Sequence, residues 1–148
     1  DGLLHTSWKG RFTVINKKPL FIVDGAHNAG AADKMAESVR HYFNGKKLIY
    51  IMGVFADKEY KIVLEKTAHF AEKIYTIETP DNPRALPAEE LAKAARVYNS
   101  SAESTKSIKD AVEKAFSCAG DDENSVILAF GSLSFIGALT NAVEEYVG

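Results

Sequence analysis

The sequence has very little cysteine and no cluster of metal-binding residue types. Cys118 is the single cysteine among 148 residues, which excludes an intramolecular disulfide and argues against a cysteine-rich zinc site. It falls late in a helical pattern, where we expect a small buried side chain rather than a nucleophile. The four histidines do not have the spacing of metal ligands, so we predict no metal ligands in this chain. A chain without disulfides favours the reducing cytoplasm.

Long apolar runs and a strong charge imbalance are also missing. No run approaches the roughly 18 apolar residues that a transmembrane helix requires. The net charge of −2 gives no general electrostatic reason to bind nucleic acid or an anionic membrane. The chain starts at Asp1 without a methionine and looks like a cut inside a longer chain, with residues 1–10 as a linker.

Three catalytic motifs are absent as well. The sequence contains no G-x-x-x-x-G-K-[ST] loop, so it cannot hold a triphosphate by that route. It has no G-x-G-x-x-G after a strand, which weakens the case for a dinucleotide dehydrogenase. A G-x-S-x-G elbow is missing too, which argues against an α/β-hydrolase nucleophile.

The central feature that is present is a strand, a polar turn and a helix over residues 20–43. The apolar run LFIV begins at Leu20 and is typical of a buried strand. It ends at the polar turn D-G-A-H-N, Asp24 to Asn28, and a helical apolar stripe follows. Asn28 can act as the N-cap of this helix. Asp24 cannot bind phosphate, because like charges repel, but it can accept hydrogen bonds from sugar hydroxyls or orient His27. Alternatively, these side chains have no functional role and simply satisfy the backbone groups of the turn.

The remaining elements follow the same β-α order. Strands are expected at 12–15, 47–52, 73–78, 125–130 and, more weakly, 101–105; helices follow most of them. The short link at residues 16–19 makes the first strand pair antiparallel. We therefore predict an α/β, Rossmann-like three-layer domain: a mostly parallel sheet of about six strands with one antiparallel strand, and helices on both faces.

A parallel sheet brings the carboxyl ends of its strands to one edge, where ligands bind. Four polar turns should therefore meet there: Asp24–Asn28, Gly53–Lys58, Pro80–Arg84 and Gly131–Ser134. They carry His27, the mobile charge of Lys58, the planar guanidinium of Arg84 and the hydroxyl of Ser132, which follows a glycine at a predicted helix start. Solvated loop charges and helix caps are the alternative interpretation of the same residues.

Taken together, the motifs resemble a known family. They are Trp8 with Gly10-Arg11-Phe12, D-G-A-H-N from Asp24, G-V-F-A-D-K-E from Gly53, T-P-D-N-P-R-A-L-P from Thr79 and F-G-S-L-S-F-I-G from Phe130. In this order they resemble the carboxyl-terminal domain of folylpolyglutamate synthase, often also dihydrofolate synthase, in the Mur ligase superfamily. The sequence departs from the pattern at Ala29-Gly30, where the family usually has proline-histidine.

The resemblance implies an ATP-dependent amide ligase that adds L-glutamate to the γ-carboxylate of folates, with dihydropteroate as a second candidate acceptor, through an acyl phosphate. By motif, Arg11 would reach the ATP phosphates, Asp24 the nucleotide ribose, and His27 the transferring phosphoryl group, with Asn28 supporting the turn. Arg84, Ser132 and, more weakly, Lys58 would bind the glutamate carboxylate.

The resemblance also implies a division of labour between domains. Residues 11–148 would form the carboxyl-terminal domain, and a missing amino-terminal P-loop domain would hold most of the ATP and the Mg²⁺. The isolated domain would then be inactive, and the full-length enzyme monomeric. Two alternatives stay open: the equivalent domain of a ligase that adds an amino acid to a peptidoglycan precursor, and a non-catalytic α/β binding module.

Overall fold

The structure is a computed structural model that describes residues 7–8, 12–56 and 59–148. Within these residues seven strands form one sheet. Their bounds are β1 Ser7–Trp8, β2 Phe12–Lys17, β3 Leu20–Val23, β4 Lys47–Gly53, β5 Lys73–Thr76, β6 Glu103–Ser104 and β7 Ser125–Gly131. The strand order across the sheet is β1-β2-β3-β7-β4-β5-β6.

The sheet is parallel except at one side. β3, β7, β4, β5 and β6 pair in parallel, whereas β2 pairs antiparallel with both β1 and β3. The tight turn at Lys18–Pro19 leaves no room for a crossover connection, so β2 and β3 must form a hairpin. The prediction of a mostly parallel sheet with one antiparallel strand is confirmed, and the two-residue β1 makes seven strands rather than about six.

Among the described residues, five α-helices connect and cover the strands: α1 Ala29–Tyr42, α2 Tyr60–Thr67, α3 Ala88–Arg96, α4 Ile108–Ala119 and α5 Ile136–Val147. Short 3₁₀ turns lie at Ala68–Phe70 and Leu133–Phe135. Alternate strand residues point to opposite faces: Leu48, Tyr50 and Met52 pack in one core with α1, α2 and α3. Ile49 and Ile51 pack in the other core with α4 and α5. The three-layer prediction is therefore confirmed.

Two central strands are buried on both faces, which explains their sequences. All seven residues of β7 are buried, and so are Leu48 to Gly53 of β4. Strands in this position have no polar face, so they appear in the sequence as continuous apolar runs. In the part of the chain that the structure describes, no helix has the length and apolar character needed to cross a membrane.

Candidate functional site

The four polar turns predicted to share an edge do so in the part that the structure describes, which for the turn after β4 is Gly53–Ala56. β3, β7, β4 and β5 are consecutive in the sheet and parallel, so the turns that follow them lie side by side. The chain leaves β4 toward α2 on one face of the sheet and leaves β7 toward α5 on the other. Such a change of direction is where open α/β sheets bind ligands.

Asp24 is held firmly at the end of β3. It is buried, its backbone N–H donates to the carbonyl of Ala129 at 2.9 Å, and its Oδ2 accepts from the N–H of Ala26 at 3.0 Å. The aspartate therefore shapes the turn as well as standing at the edge. This is the contact expected if the motif's side chains satisfy the backbone of the turn.

His27 is exposed at the tip of the same turn. Its Nδ1 lies 2.8 Å from the carbonyl oxygen of Gly25. A carbonyl only accepts, so Nδ1 carries the proton, and in the neutral imidazole Nε2 is left as the acceptor. The ring thus has a fixed tautomer and presents Nε2 away from the turn's backbone.

Asn28 is the N-cap of α1, as the sequence predicted. Its Oδ1 accepts from the N–H of Ala31 at 2.9 Å, and its carbonyl accepts from the N–H of Ala32 at 2.9 Å. One further donor at this helix start, the N–H of Ala29, is bound from outside the helix: it donates to Oε1 of Glu59 at 3.0 Å.

The loop after β5 presents Arg84 on a well-defined support. Asp81 has a positive φ of 57°, a conformation that aspartate tolerates better than most residues. Oδ1 of Asn82 accepts from the N–H of Arg84 at 2.8 Å, and the carbonyl of Arg84 accepts from the N–H of Ala56 at 2.7 Å. The guanidinium lies 4.7 Å from the ring centroid of Phe55. The Arg84 loop is therefore joined to the loop after β4.

Gly131 and Ser132 close the gap between β7 and β4. Gly131 has a φ of 116°, and a Cβ there would lie 2.1 Å from the carbonyl oxygen of Gly53. This conformation turns the N–H of Ser132 back to that carbonyl at 2.8 Å. Ser132 is buried as a residue, and its hydroxyl lies 2.7 Å from the Ser134 hydroxyl and accepts from the Ser134 N–H at 3.2 Å.

The helix start that we predicted at Ser132 lies further along the chain. The Ser132 N–H is already bound to Gly53, and α5 begins only at Ile136, after a 3₁₀ turn. Arg11 and Lys58, the other two predicted site residues, lie outside the described residues.

Three features of the edge were missed from the sequence. Glu59 and Phe55 contact residues about thirty positions away, and no local pattern reports such pairs. Thr79 has a buried Oγ1 without a hydrogen-bond partner, and only its place in the T-P-D-N-P-R motif could have drawn attention to it. Across the described ranges 7–8, 12–56 and 59–148, no group of three or more His, Cys, Asp or Glu side chains is placed to hold a metal ion.

A cleft of about 580 Å³ lies at the opposite edge of the sheet. It is flanked by the lysines at 17, 18 and 46 and by the acidic residues at 121, 122 and 123. This is the amino-terminal edge of the parallel strands, where open α/β sheets do not place their ligands. We therefore assign the candidate site to the carboxyl-terminal edge.

Comparison with known proteins identifies the family. The model of the Mur ligase glutamate ligase domain matches residues 10–133. The chain belongs to this Mur ligase family. The Bacillus subtilis dihydrofolate synthase/folylpolyglutamate synthase is 29% identical over 144 residues, covering 97% of this chain and 32% of that protein. This Mur ligase domain therefore spans about a third of that relative's length.

Solved structures agree with the sequence comparison. The Mycobacterium tuberculosis folylpolyglutamate synthase, complexed with ADP and AMPPCP, superposes with a TM-score of 0.76 at 25% identity, covering 97% of this chain and 33% of that one. Escherichia coli FolC, in complex with DHPP and ADP, gives a TM-score of 0.79 at 20% identity, covering 95% of this chain and 32% of that one. At that identity the likeness supports the fold alone. The resemblance to the folylpolyglutamate synthase group is confirmed.

Proposed function

We propose that this Mur ligase domain is part of an ATP-dependent ligase that adds L-glutamate to the γ-carboxylate of a folate, with dihydropteroate as a second candidate acceptor. The observation that carries the proposal is the meeting of Asp24, His27, Arg84 and Ser132 on one sheet edge, in turns fixed by hydrogen bonds. The relatives named above supply the reaction class. The whole reaction would need the rest of a longer protein, and the cytoplasm would be its location.

The proposed chemistry has two steps. The acceptor carboxylate takes the γ-phosphoryl group of ATP, which breaks the β–γ bridge bond and releases ADP. The amine of glutamate then attacks the acyl carbon, the bond from that carbon to the phosphate oxygen breaks, and the amine loses a proton as the amide forms. Negative charge gathers at the phosphoryl group in both steps, so positioned donors there stabilise the transition state.

Each site residue has a role that its local geometry supports. His27 is the residue we place beside the phosphoryl group. Its Nδ1 is bound to Gly25, so the ring holds one orientation. When it is protonated, Nε2 donates toward phosphate oxygens. Asp24 we place at the ribose hydroxyls, and Asn28 at the turn that carries both residues.

The glutamate carboxylate needs a planar pair of donors, which a guanidinium supplies. Arg84 is exposed, and its backbone is held on both sides by Asn82 and Ala56. We propose that Arg84 binds this carboxylate, assisted by the Ser132 hydroxyl and by Lys58. Arg11 we assign to the ATP phosphates. As the family resemblance implies, we assign most of the Mg²⁺ coordination to the amino-terminal P-loop domain.

The test uses the full-length protein, including any residues that precede or follow this sequence. We expect His27→Ala and Arg84→Ala each to lower glutamate ligation at least ~100-fold, because each removes a group that stabilises reacting or substrate charge. His41→Ala and Arg40→Ala are matched controls, since both residues are exposed in the last turn of α1, and they should retain normal turnover.

Two results would contradict the assignment. Normal turnover in both site variants would reject the roles of His27 and Arg84. Ligation to a peptidoglycan precursor but not to a folate would redirect the proposal to the other branch of the family. The isolated domain is expected to be inactive by itself.

A further inference from the structure

We propose that Glu59 is a positioning residue that fastens the loop after β4 to the start of α1, and thereby keeps the glutamate-binding side of the proposed site in place. The inference rests on the proposed function for its kinetic part and on a hydrogen bond for its structural part. Oε1 of Glu59 accepts from the N–H of Ala29 at 3.0 Å, across thirty residues of sequence.

The use of this carboxylate is unusual for its position. Glu59 occupies the N-cap of α2, and its carbonyl accepts from the N–H of Val63, yet its side chain makes no cap bond to α2. The carboxylate instead satisfies a donor of the neighbouring helix, and α1 has no acidic residue of its own in its first turn. A carboxylate at a helix N-terminus is favoured by the unpaired N–H groups and by the helix dipole.

A second contact shows that α1 and α2 are joined as a pair. Nζ of Lys66, late in α2, lies 2.8 Å from Oδ1 of Asp33 in α1. Glu59 and Lys66 therefore connect the two helices at two levels. The Lys66 pair is a side-chain ion pair on the helix surface, whereas the Glu59 bond acts at the sheet edge, directly beside the D-G-A-H-N turn.

The bond depends on the residue at position 29. A proline at this position would carry no N–H. Ala29 provides the donor, so this connection is available to this chain. The substitution Ala29→Pro consequently removes the donor without altering Glu59. Proline is favoured at the first position of a helix, and Asn28, with ψ of 173°, already has the extended backbone that precedes proline.

Loss of the Glu59 contact should weaken the binding of glutamate more than the binding of nucleotide. Ala56, three residues before Glu59, donates its N–H to the Arg84 carbonyl, so we expect a chain released at Glu59 to loosen the support of Arg84. Asp24 is held separately, by β7 and by its own turn. Losing the Glu59 contact should thus raise KM for glutamate and leave KM for ATP nearly unchanged.

The experiment combines a structural and a kinetic measurement on the intact protein. Variants are Glu59→Ala, Glu59→Gln, Ala29→Pro and the double variant of Glu59→Ala with Ala29→Pro. Glu65→Ala is the control, because Glu65 is an exposed glutamate on the same helix. Hydrogen exchange of the Ala29 amide should be faster in Glu59→Ala, close to wild type in Glu59→Gln, whose amide oxygen still accepts, and unchanged in Glu65→Ala.

For the kinetics we expect Glu59→Ala and Ala29→Pro each to raise KM for glutamate about 10-fold, as loss of a hydrogen bond to a charged group would, with KM for ATP within about twofold of wild type. The double variant should be no worse than either single variant, since both remove the same bond. Glu59→Gln should restore most of the loss.

The outcomes separate this inference from the proposed function. An unchanged rate of hydrogen exchange at the Ala29 amide in Glu59→Ala would show that the bond is not made, and would overturn the positioning role. Faster exchange with unaltered KM for glutamate, or with equal losses for all substrates, would overturn it as well. An intact wild-type protein without ligase activity, but with the exchange pattern described, would refute the proposed function and the kinetic role while the loop-to-helix bond stands.

Discussion

The sharpest structural prediction concerns Gly131, where β7 turns toward the site. Substituting alanine would place a Cβ 2.1 Å from the carbonyl oxygen of Gly53, with φ at 116°. A side chain in this conformation costs about 1–3 kcal/mol, and the displacement needed to relieve the contact costs about 1–3 kcal/mol more. We therefore expect Gly131→Ala to lower the free energy of unfolding by about 4 kcal/mol.

Chemical denaturation of the chain measures this change. With an urea m-value near 2 kcal/mol/M, the unfolding midpoint should fall by about 2 M. Gly137→Ala is the matched control: Gly137 lies in the first turn of α5, and a Cβ there meets nothing within 4 Å. It should leave stability unchanged or raise it by up to about 1 kcal/mol. If the unfolding midpoint of Gly131→Ala equals that of wild type, the close approach of Gly131 to the Gly53 carbonyl is refuted.

Three further predictions concern single groups. Thr79→Val should leave stability unchanged or raise it, because the buried hydroxyl has no partner to lose; a loss of more than about 1 kcal/mol in urea denaturation would show that the hydroxyl is bonded. Asn28→Ala should lower the free energy of unfolding by about 1 kcal/mol through loss of its cap, and Ser107→Ala, which removes the equivalent cap of α4, should cost a similar amount; no change in either variant would contradict the cap geometry. Burial, with Cys118 and Glu103 nearby, raises the pKa of Tyr75 to about 12, so the stability it contributes is complete below its ordinary pKa of about 10 and is lost as pH rises through about 12. Tyr75→Phe should accordingly weaken the fall in melting temperature between pH 10 and 12, and an unaltered slope would contradict the shift.

The sequence was sufficient to predict the layers and the gathering of the polar turns at one edge of the sheet. Apolar runs such as those of β4 and β7 indicated buried strands, because strands covered on both faces have no polar alternation. Since parallel strands end at one edge, the positions of Asp24, Arg84 and Ser132 in their turns predicted that these residues would share it. Helix starts were also predictable where a cap exists, as at Asn28.

Other features could not be predicted, for physical reasons. β6 pairs through two residues only, too few for a periodic signal, and Ser7–Trp8 joins the sheet inside a segment that we predicted to be a linker. The extended run after Lys73 ends as a strand at Thr76 rather than at Glu78. Strand order and long-range contacts, such as that of Glu59 with Ala29, depend on pairing choices that no local pattern contains.

The placement of β7 has a consequence for how the molecule is made. β7 is the last of the seven described strands along the chain, yet it lies between β3 and β4. A nascent chain that has not yet reached Ser125 carries two half-sheets whose inner edges are unpaired, and such edges invite association with other chains. The contacts of β7 with β3 and β4 join residues far apart in sequence, so their formation is slowed by the entropy of loop closure. Nearly the whole domain must therefore leave the ribosome before the two half-sheets can pair with β7.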